Sequence, residues 1–240
     1  MSFYDYLKSH AEKNTDSAAI IEGGSTVTYG DFCEQVESFA AALSELPLNI
    51  NSKVGLLCLN QKEHLVAMFG CLLKGVPLIP FNFLLKPEDL AFITQDAGID
   101  TLVVDSAFVK PEISPFFKFF SNKILVGPAD PDQVSQETFR FEDFLKSGKK
   151  ENAFIKHERE TGIPDVILYT SGTTAKPKGV MLNEDQFDKN CTGFLEHLHI
   201  TSEDSAIVAL PLFHSFGNIM ALVFCRVGAT LILLKQFQPK

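Results

Sequence analysis

Two hydrophobic rhythms alternate along the chain. Short unbroken apolar runs read as buried strands: Val54 to Leu59, Val76 to Pro80, Thr101 to Asp105 and Lys123 to Gly127. Between them, apolar residues recur at helical spacing. Phe32, Val36, Phe39, Leu43 and Leu46 form one such stripe, opened by Thr28-x-x-Asp31 at capping-box spacing. Gln61 to Lys74 reads as a helix closed by Gly75, and Pro87 opens another that ends at Gly98. Ahead of these, Ala18 to Glu22 and Ser25 to Thr28 flank Gly23-Gly24, a hairpin signature. Toward the other end, Asn183 is placed to cap a helix running to about His199. A strand at Ala206 to Leu210, a helix from about Ser215 and a strand at Ala229 to Leu234 follow. Strand and helix in alternation predict an α/β fold with mainly parallel sheets flanked by helices. The Phe-rich run Phe116, Phe117, Phe119 and Phe120 reads as core packing of a helix. The polar stretch 148–161, with Glu158-Arg159-Glu160, reads as a solvated linker.

Composition narrows the partners. With 240 residues, 45% of them hydrophobic, the chain is long enough for a substantial core. A net charge of −9 argues against nucleic acid or an anionic membrane surface as partner. The five cysteines (Cys33, Cys58, Cys71, Cys191, Cys225) contain no C-x-x-C pair and mostly sit in apolar runs. They read as buried free thiols of a reducing compartment. The first residues lack the basic-then-apolar pattern of a signal peptide, and the longest apolar stretch, Ile219 to Leu234, carries Arg226 and is too short for a bilayer. The expectation is a cytoplasmic protein without a transmembrane segment. His197 and His199 flank Leu198 beside Glu196, but with no third ligand at useful spacing they read as helix-end residues and not as a metal site.

The densest chemistry lies at residues 166–180. An apolar run, Val166 to Tyr169, opens into Thr-Ser-Gly-Thr-Thr-Ala-Lys-Pro-Lys-Gly-Val. Gly172 and Gly179 let backbone amides approach an anion and tolerate positive φ. Ser171, Thr173 and Thr174 add hydroxyl donors, and Lys176 and Lys178 add positive charge, so the loop suits a polyphosphate. It is not the G-x-x-x-x-G-K-[ST] pattern, because Pro177 stands where the second glycine belongs.

Tyr169-Thr-Ser-Gly-Thr-Thr-x-Lys-Pro-Lys-Gly-Val180 resembles the phosphate-loop signature of the acyl-adenylate-forming (AMP-binding) superfamily, most like its acyl-CoA synthetases. Three further segments agree in order: Val27 to Phe32, Leu73 to Pro80, and Leu210-Pro-Leu-Phe-His-Ser-Phe-Gly217. The resemblance implies attack of a carboxylate, from a fatty acid by the last of these segments, on the α-phosphate of ATP. Pyrophosphate leaves and the acyl group passes to CoA, with Mg2+ as the accompanying ion. In that reading Thr170, Ser171, Gly172, Thr173, Thr174, Lys176, Lys178 and Gly179 bind the nucleotide phosphates. Lys178 offsets leaving-group charge, Thr170 touches the metal, and His214 borders the acyl pocket and gates the acid or thioester route. By residue type alone, a single histidine in an apolar stretch reads equally as a hydrogen-bonded core residue. Ala175 stands where the superfamily usually has Gly, which costs about 1 kcal/mol if that residue is left-handed.

The resemblance also implies the organisation of the chain. It reads as the incomplete N-terminal domain of an acyl-CoA synthetase-like fold. Residues 1–53 would pack with 200–240, residues 54–182 would form a first α/β subdomain ending in the phosphate loop, and 183–240 would begin a second. As an N-terminal fragment it would be inactive alone, and the open edge of its second sheet would favour self-association. An adenylation domain loading a carrier protein, and a non-catalytic nucleotide- or acyl-binding truncation, are the alternatives.

Overall fold

The computed structural model describes residues 1–128, 138–148, 162–170 and 176–235. The fold is α/β, with two mainly parallel sheets flanked by helices. The larger sheet has seven strands. Val54–Leu57 (β3), Leu78–Pro80 (β4), Thr101–Asp105 (β5), Asn122–Val126 (β6), Thr138–Arg140 (β7) and Val166–Thr170 (β8) are joined by Lys178–Leu182 (β9) in the order β7-β6-β5-β3-β4-β8-β9. All neighbours are parallel except β8 and β9. Its central strands are apolar on both faces, as a sheet covered on both sides requires. Leu56, Leu78, Val103 and Ile124 face one cluster, and Leu57, Ile79, Leu102 and Leu125 face another.

Helices Tyr29–Glu45 (α2) and Lys62–Lys74 (α3) cover the first face. The second face packs against Pro87–Ala97 (α4) and the 3-10 segment Pro111–Phe119. The Phe-rich run therefore does pack the core, through Phe116 and Phe120, but as 3-10 helix with Phe119 exposed. Pro115 inside the segment removes a donor and disfavours an α-helix there.

The smaller sheet joins distant parts of the chain. Ala18–Glu22 (β1) forms a hairpin with Ser25–Thr28 (β2) and pairs in parallel with Thr230–Leu233 (β11). Ser205–Val208 (β10) completes the order β10-β11-β1-β2. Helices Phe3–Lys13 (α1), Glu184–Leu198 (α6) and Ser215–Val227 (α7) pack along it, and a single apolar cluster runs from here into the first face of the larger sheet. A short helix, Phe141–Ser147 (α5), follows β7.

The caps follow the residue chemistry. Thr28 accepts a hydrogen bond from the Asp31 amide, and Asn183 and Gln186 form a reciprocal capping box on α6. Gly75, Gly98 and Gly228 close α3, α4 and α7 in left-handed conformation. The five cysteines are buried and free. No helix among the described residues is long and apolar enough to cross a membrane. The polar stretch 149–161, including Glu158-Arg159-Glu160, lies outside the described residues.

Candidate functional site

The two strands on either side of the segment 171–177 pair with each other. Strands β8 and β9 pair in antiparallel register with Thr170 opposite Lys178 and Tyr169 opposite Gly179. Directly opposed residues share a face of the sheet. The hydroxyl of Thr170 and the ammonium of Lys178 therefore rise side by side, both exposed, where the strand pair ends. Ser171, Gly172, Thr173, Thr174 and Ala175 lie outside the described residues.

Gly179 differs from expectation. It lies in extended strand without positive φ. A Cβ there would fall 2.9 Å from Ile167 Cγ2 and 3.1 Å from the Tyr169 ring, so glycine serves close packing against these side chains and not a left-handed turn. The strand itself was missed in the sequence because Val180 and Met181 are both exposed and give no inward-outward alternation.

Behind the hairpin, α4 reaches both sides of the loop. The Tyr169 hydroxyl donates to the Asp96 carboxylate at 2.5 Å, and Lys176 Nζ sits over the Phe92 ring at 5.0 Å from its centroid. Burial first, and the Asp96 carboxylate second, push the Tyr169 phenol well above its ordinary range, so the hydroxyl stays protonated and donating.

The second contribution comes from the segment before α7. His214 lies beyond the end of β10, which stops at Val208. It is the N-cap of α7, its Nδ1 accepting from the Phe216 amide at 3.3 Å. The side chain is exposed, which sets aside the core-histidine reading. Phe213 beside it is held edge-on by Phe83 at 4.9 Å, and Phe83 stacks on Phe108. The segment is stitched to the larger sheet by buried Asn60. Its Nδ2 donates to the Leu210 and Val208 carbonyls at 2.9 and 3.4 Å, and its Oδ1 accepts from the Leu212 amide at 2.8 Å.

Thr170 and His214 meet on one cavity of about 340 Å³. Pro80, Phe81 and Asn82 line it from the end of β4, Leu85 and Ile93 from the α4 side, and Leu168 and Tyr169 from β8. It opens at the carboxyl ends of parallel strands β4 and β8, the place where open α/β sheets take their ligands. The arrangement sets a hydroxyl and a lysine at a turn rich in anion-binding residue types, next to an apolar hollow with a histidine on its rim. Asn82, Tyr169, Asp96 and Phe92 were not singled out in the sequence. Asp96 lies 73 residues from its partner, a separation no local pattern reports. His197 and His199 sit at the end of α6, His197 bonded to its own helix through the Gly193 carbonyl and His199 closing it with φ 51°. Among the described residues no group of three or more His, Cys, Asp or Glu side chains could hold a metal ion.

Comparison with known proteins points the same way. Residues 7–240 match the family described as AMP-binding enzyme. The 2-succinylbenzoate–CoA ligase of Bacillus subtilis (strain 168) is 26% identical over 97% of this chain and 44% of its own length. The fatty acid–[acyl-carrier-protein] ligase ScoC of Streptomyces coeruleorubidus is 26% identical over 96% of this chain and 43% of its own length. A solved structure of the o-succinylbenzoate CoA synthetase of Bacillus subtilis, in complex with ATP and magnesium ion, superposes with a TM-score of 0.77 at 25% identity. That superposition covers 97% of this chain and 45% of that one. The chain thus spans less than half the length of the curated relatives it matches.

Proposed function

The chain belongs to the AMP-binding enzyme family, and on that premise we propose that it is the N-terminal part of an ATP-dependent, AMP-forming acid–CoA ligase. The observation that carries the proposal is a cavity lined by both Thr170 and His214, with Lys178 paired across the strands from Thr170. Activating a carboxylate requires displacement of pyrophosphate from the α-phosphate of ATP. Catalysis of such a displacement rests on positioning and charge neutralisation.

In this reading Thr170 and the donors of Ser171 to Thr174 hold the terminal phosphates, with Gly172 leaving the backbone open to them. Lys178, with Lys176 beside it, offsets charge on the leaving group. Mg2+ would arrive with the nucleotide, where the exposed Thr170 hydroxyl could touch it; among the described residues no group of three or more His, Cys, Asp or Glu could hold a metal ion. When bound, such an ion neutralises phosphate charge. The cavity takes the acid, with a fatty acid favoured by the Leu210–Gly217 segment and by apolar Leu85, Ile93, Leu168 and Phe213. His214, exposed on its rim, faces the acid and thioester side, and CoA is the acceptor. The carrier-protein relative supports a second reading in which the acceptor is a carrier pantetheine. Parallel assays with CoA and a loaded carrier protein separate the two.

The test is a split between two variants of the complete enzyme. Lys178→Ala should slow adenylate formation with every acid by roughly tenfold to a hundredfold, the worth of a charge-assisted contact. His214→Ala should change acid preference or the thiol step while the affinity for ATP stays at the wild-type level. Equal loss of ATP binding in both variants would refute this division of roles.

A further inference from the structure

Both flanks of the phosphate loop rest on one helix. Tyr169, the last residue before Thr170, donates through its hydroxyl to Asp96. Lys176, two residues before Lys178, lies over Phe92. Phe92 and Asp96 are four residues apart on α4 and so share one face of it, one turn above the other. The contacts are of different kinds, a charge-assisted hydrogen bond and a cation–π contact, yet they converge on the same helix face.

The rest of the geometry fixes this helix in place. Leu90 and Ile93, also on α4, are buried in the apolar cluster under the larger sheet, and Thr94 bonds back to the Leu90 carbonyl. Gly98 closes the helix, and the Ile99 side chain joins the same cluster. The Tyr169 ring in turn lies against Gly179, where an added Cβ would crowd it at 3.1 Å. The outward edge of the hairpin is thus locked ring to glycine, hydroxyl to carboxylate and lysine to aromatic face.

We infer that Asp96 and Phe92 are positioning residues for Thr170 and Lys178: α4 acts as a rigid brace that holds Tyr169 and Lys176, and through them the cross-strand pair, for a polyphosphate. This rests on the nucleotide reading above. A brace of this kind contributes to affinity by removing the ordering cost that a free loop meets on binding. It touches no ligand itself.

The test is calorimetric titration of the complete enzyme with tripolyphosphate and with ATP, alongside Asp96→Ala, Tyr169→Phe and the double variant. Each single variant should weaken tripolyphosphate binding about threefold to tenfold, as for an exposed hydrogen bond to a charged group. The double variant should bind no more weakly than the weaker single one, because the two residues act through one contact. Phe92→Leu should weaken binding by about twofold to fivefold. Melting temperatures should stay within a few degrees of wild type, since Asp96 is exposed, a pattern that a merely structural role would reverse. If Tyr169→Phe does not fold, Asp96→Asn, which keeps the shape and one acceptor oxygen, should give an intermediate loss. Wild-type binding in both single variants, or strictly additive losses, would overturn the brace and leave the nucleotide reading standing. Failure of the wild-type enzyme to bind either probe would overturn both.

Discussion

The starts of α3 and α7 make an instructive pair. Each helix begins where a strand of one of the two sheets has ended, each carries a histidine at its opening, and Asn60 bonds the two approaches together. His214 caps α7 and stands in solvent on the cavity rim. His64, in the first turn of α3, has 0% of its surface exposed, and neither ring nitrogen finds a partner among the described residues. Burial pushes the His64 imidazole down to about 4. Of the two, it was His214 whose apolar surroundings in the sequence suggested a core residue, yet the core histidine of this chain is His64. Sequence neighbours report the hydrophobicity of a segment; which side of a helix a residue occupies decides its chemistry.

Acid should break the comparison most. The unfolded chain takes up a proton at the ordinary histidine value near 6.5, whereas folded His64 resists until about 4. As pH falls between these values the unfolded state binds more protons, so stability falls, and above about 6.5 the penalty vanishes. His64→Leu should remove roughly 2–3 kcal/mol of the stability difference between pH 7.5 and 4.5. Urea unfolding at the two pH values reads this directly. An unchanged difference would show that His64 is not protected in the folded state.

Asn60→Ala tests the link between the two helix starts. It removes three hydrogen bonds to backbone groups, two of them buried, so a loss of about 2 kcal/mol is expected at neutral pH. Faster amide exchange should be confined to residues 208–214. Exchange changes spread evenly over both sheets would argue against a local stitch.

The smallest effect belongs to His214. As an exposed cap its replacement by Ala should cost under about 1 kcal/mol, and His214→Asn, a better cap, should cost nothing. If His214→Ala proved as costly as Asn60→Ala, the contrast between the two helix starts would collapse.

Much of this architecture was readable from local chemistry. The Gly23-Gly24 hairpin, the left-handed closures at Gly75 and Gly98 and the Asn183 cap are each set by one or two residues whose backbone needs are specific. What escaped was set by distance or by edge position. Strand β9 lies at the border of its sheet with exposed apolar residues, so it has no periodic signature. Helix α5 and strand β7 are too short to establish a period. At the candidate site, the residue types from Thr170 to Lys178 suggest an anion loop from the sequence alone, whereas the contacts of Tyr169 with Asp96, of Lys176 with Phe92 and of Gly179 with its neighbours exist only once strands and helix are assembled.

The parallel pairing of β1 with β11 sets Ile20 beside Leu231, 211 positions later. Ribosomes add about 5–20 residues per second, so β1 and its hairpin partner emerge roughly 10–40 s before the strand that completes them. Through that interval one border of β1 has only solvent or another molecule to bond with, and Ile20, buried in the finished fold, waits with it. Closure of so long a loop is slow for entropic reasons as well. Until residue 230 leaves the ribosome, that border of β1 therefore stays open to mispairing and to chaperone capture.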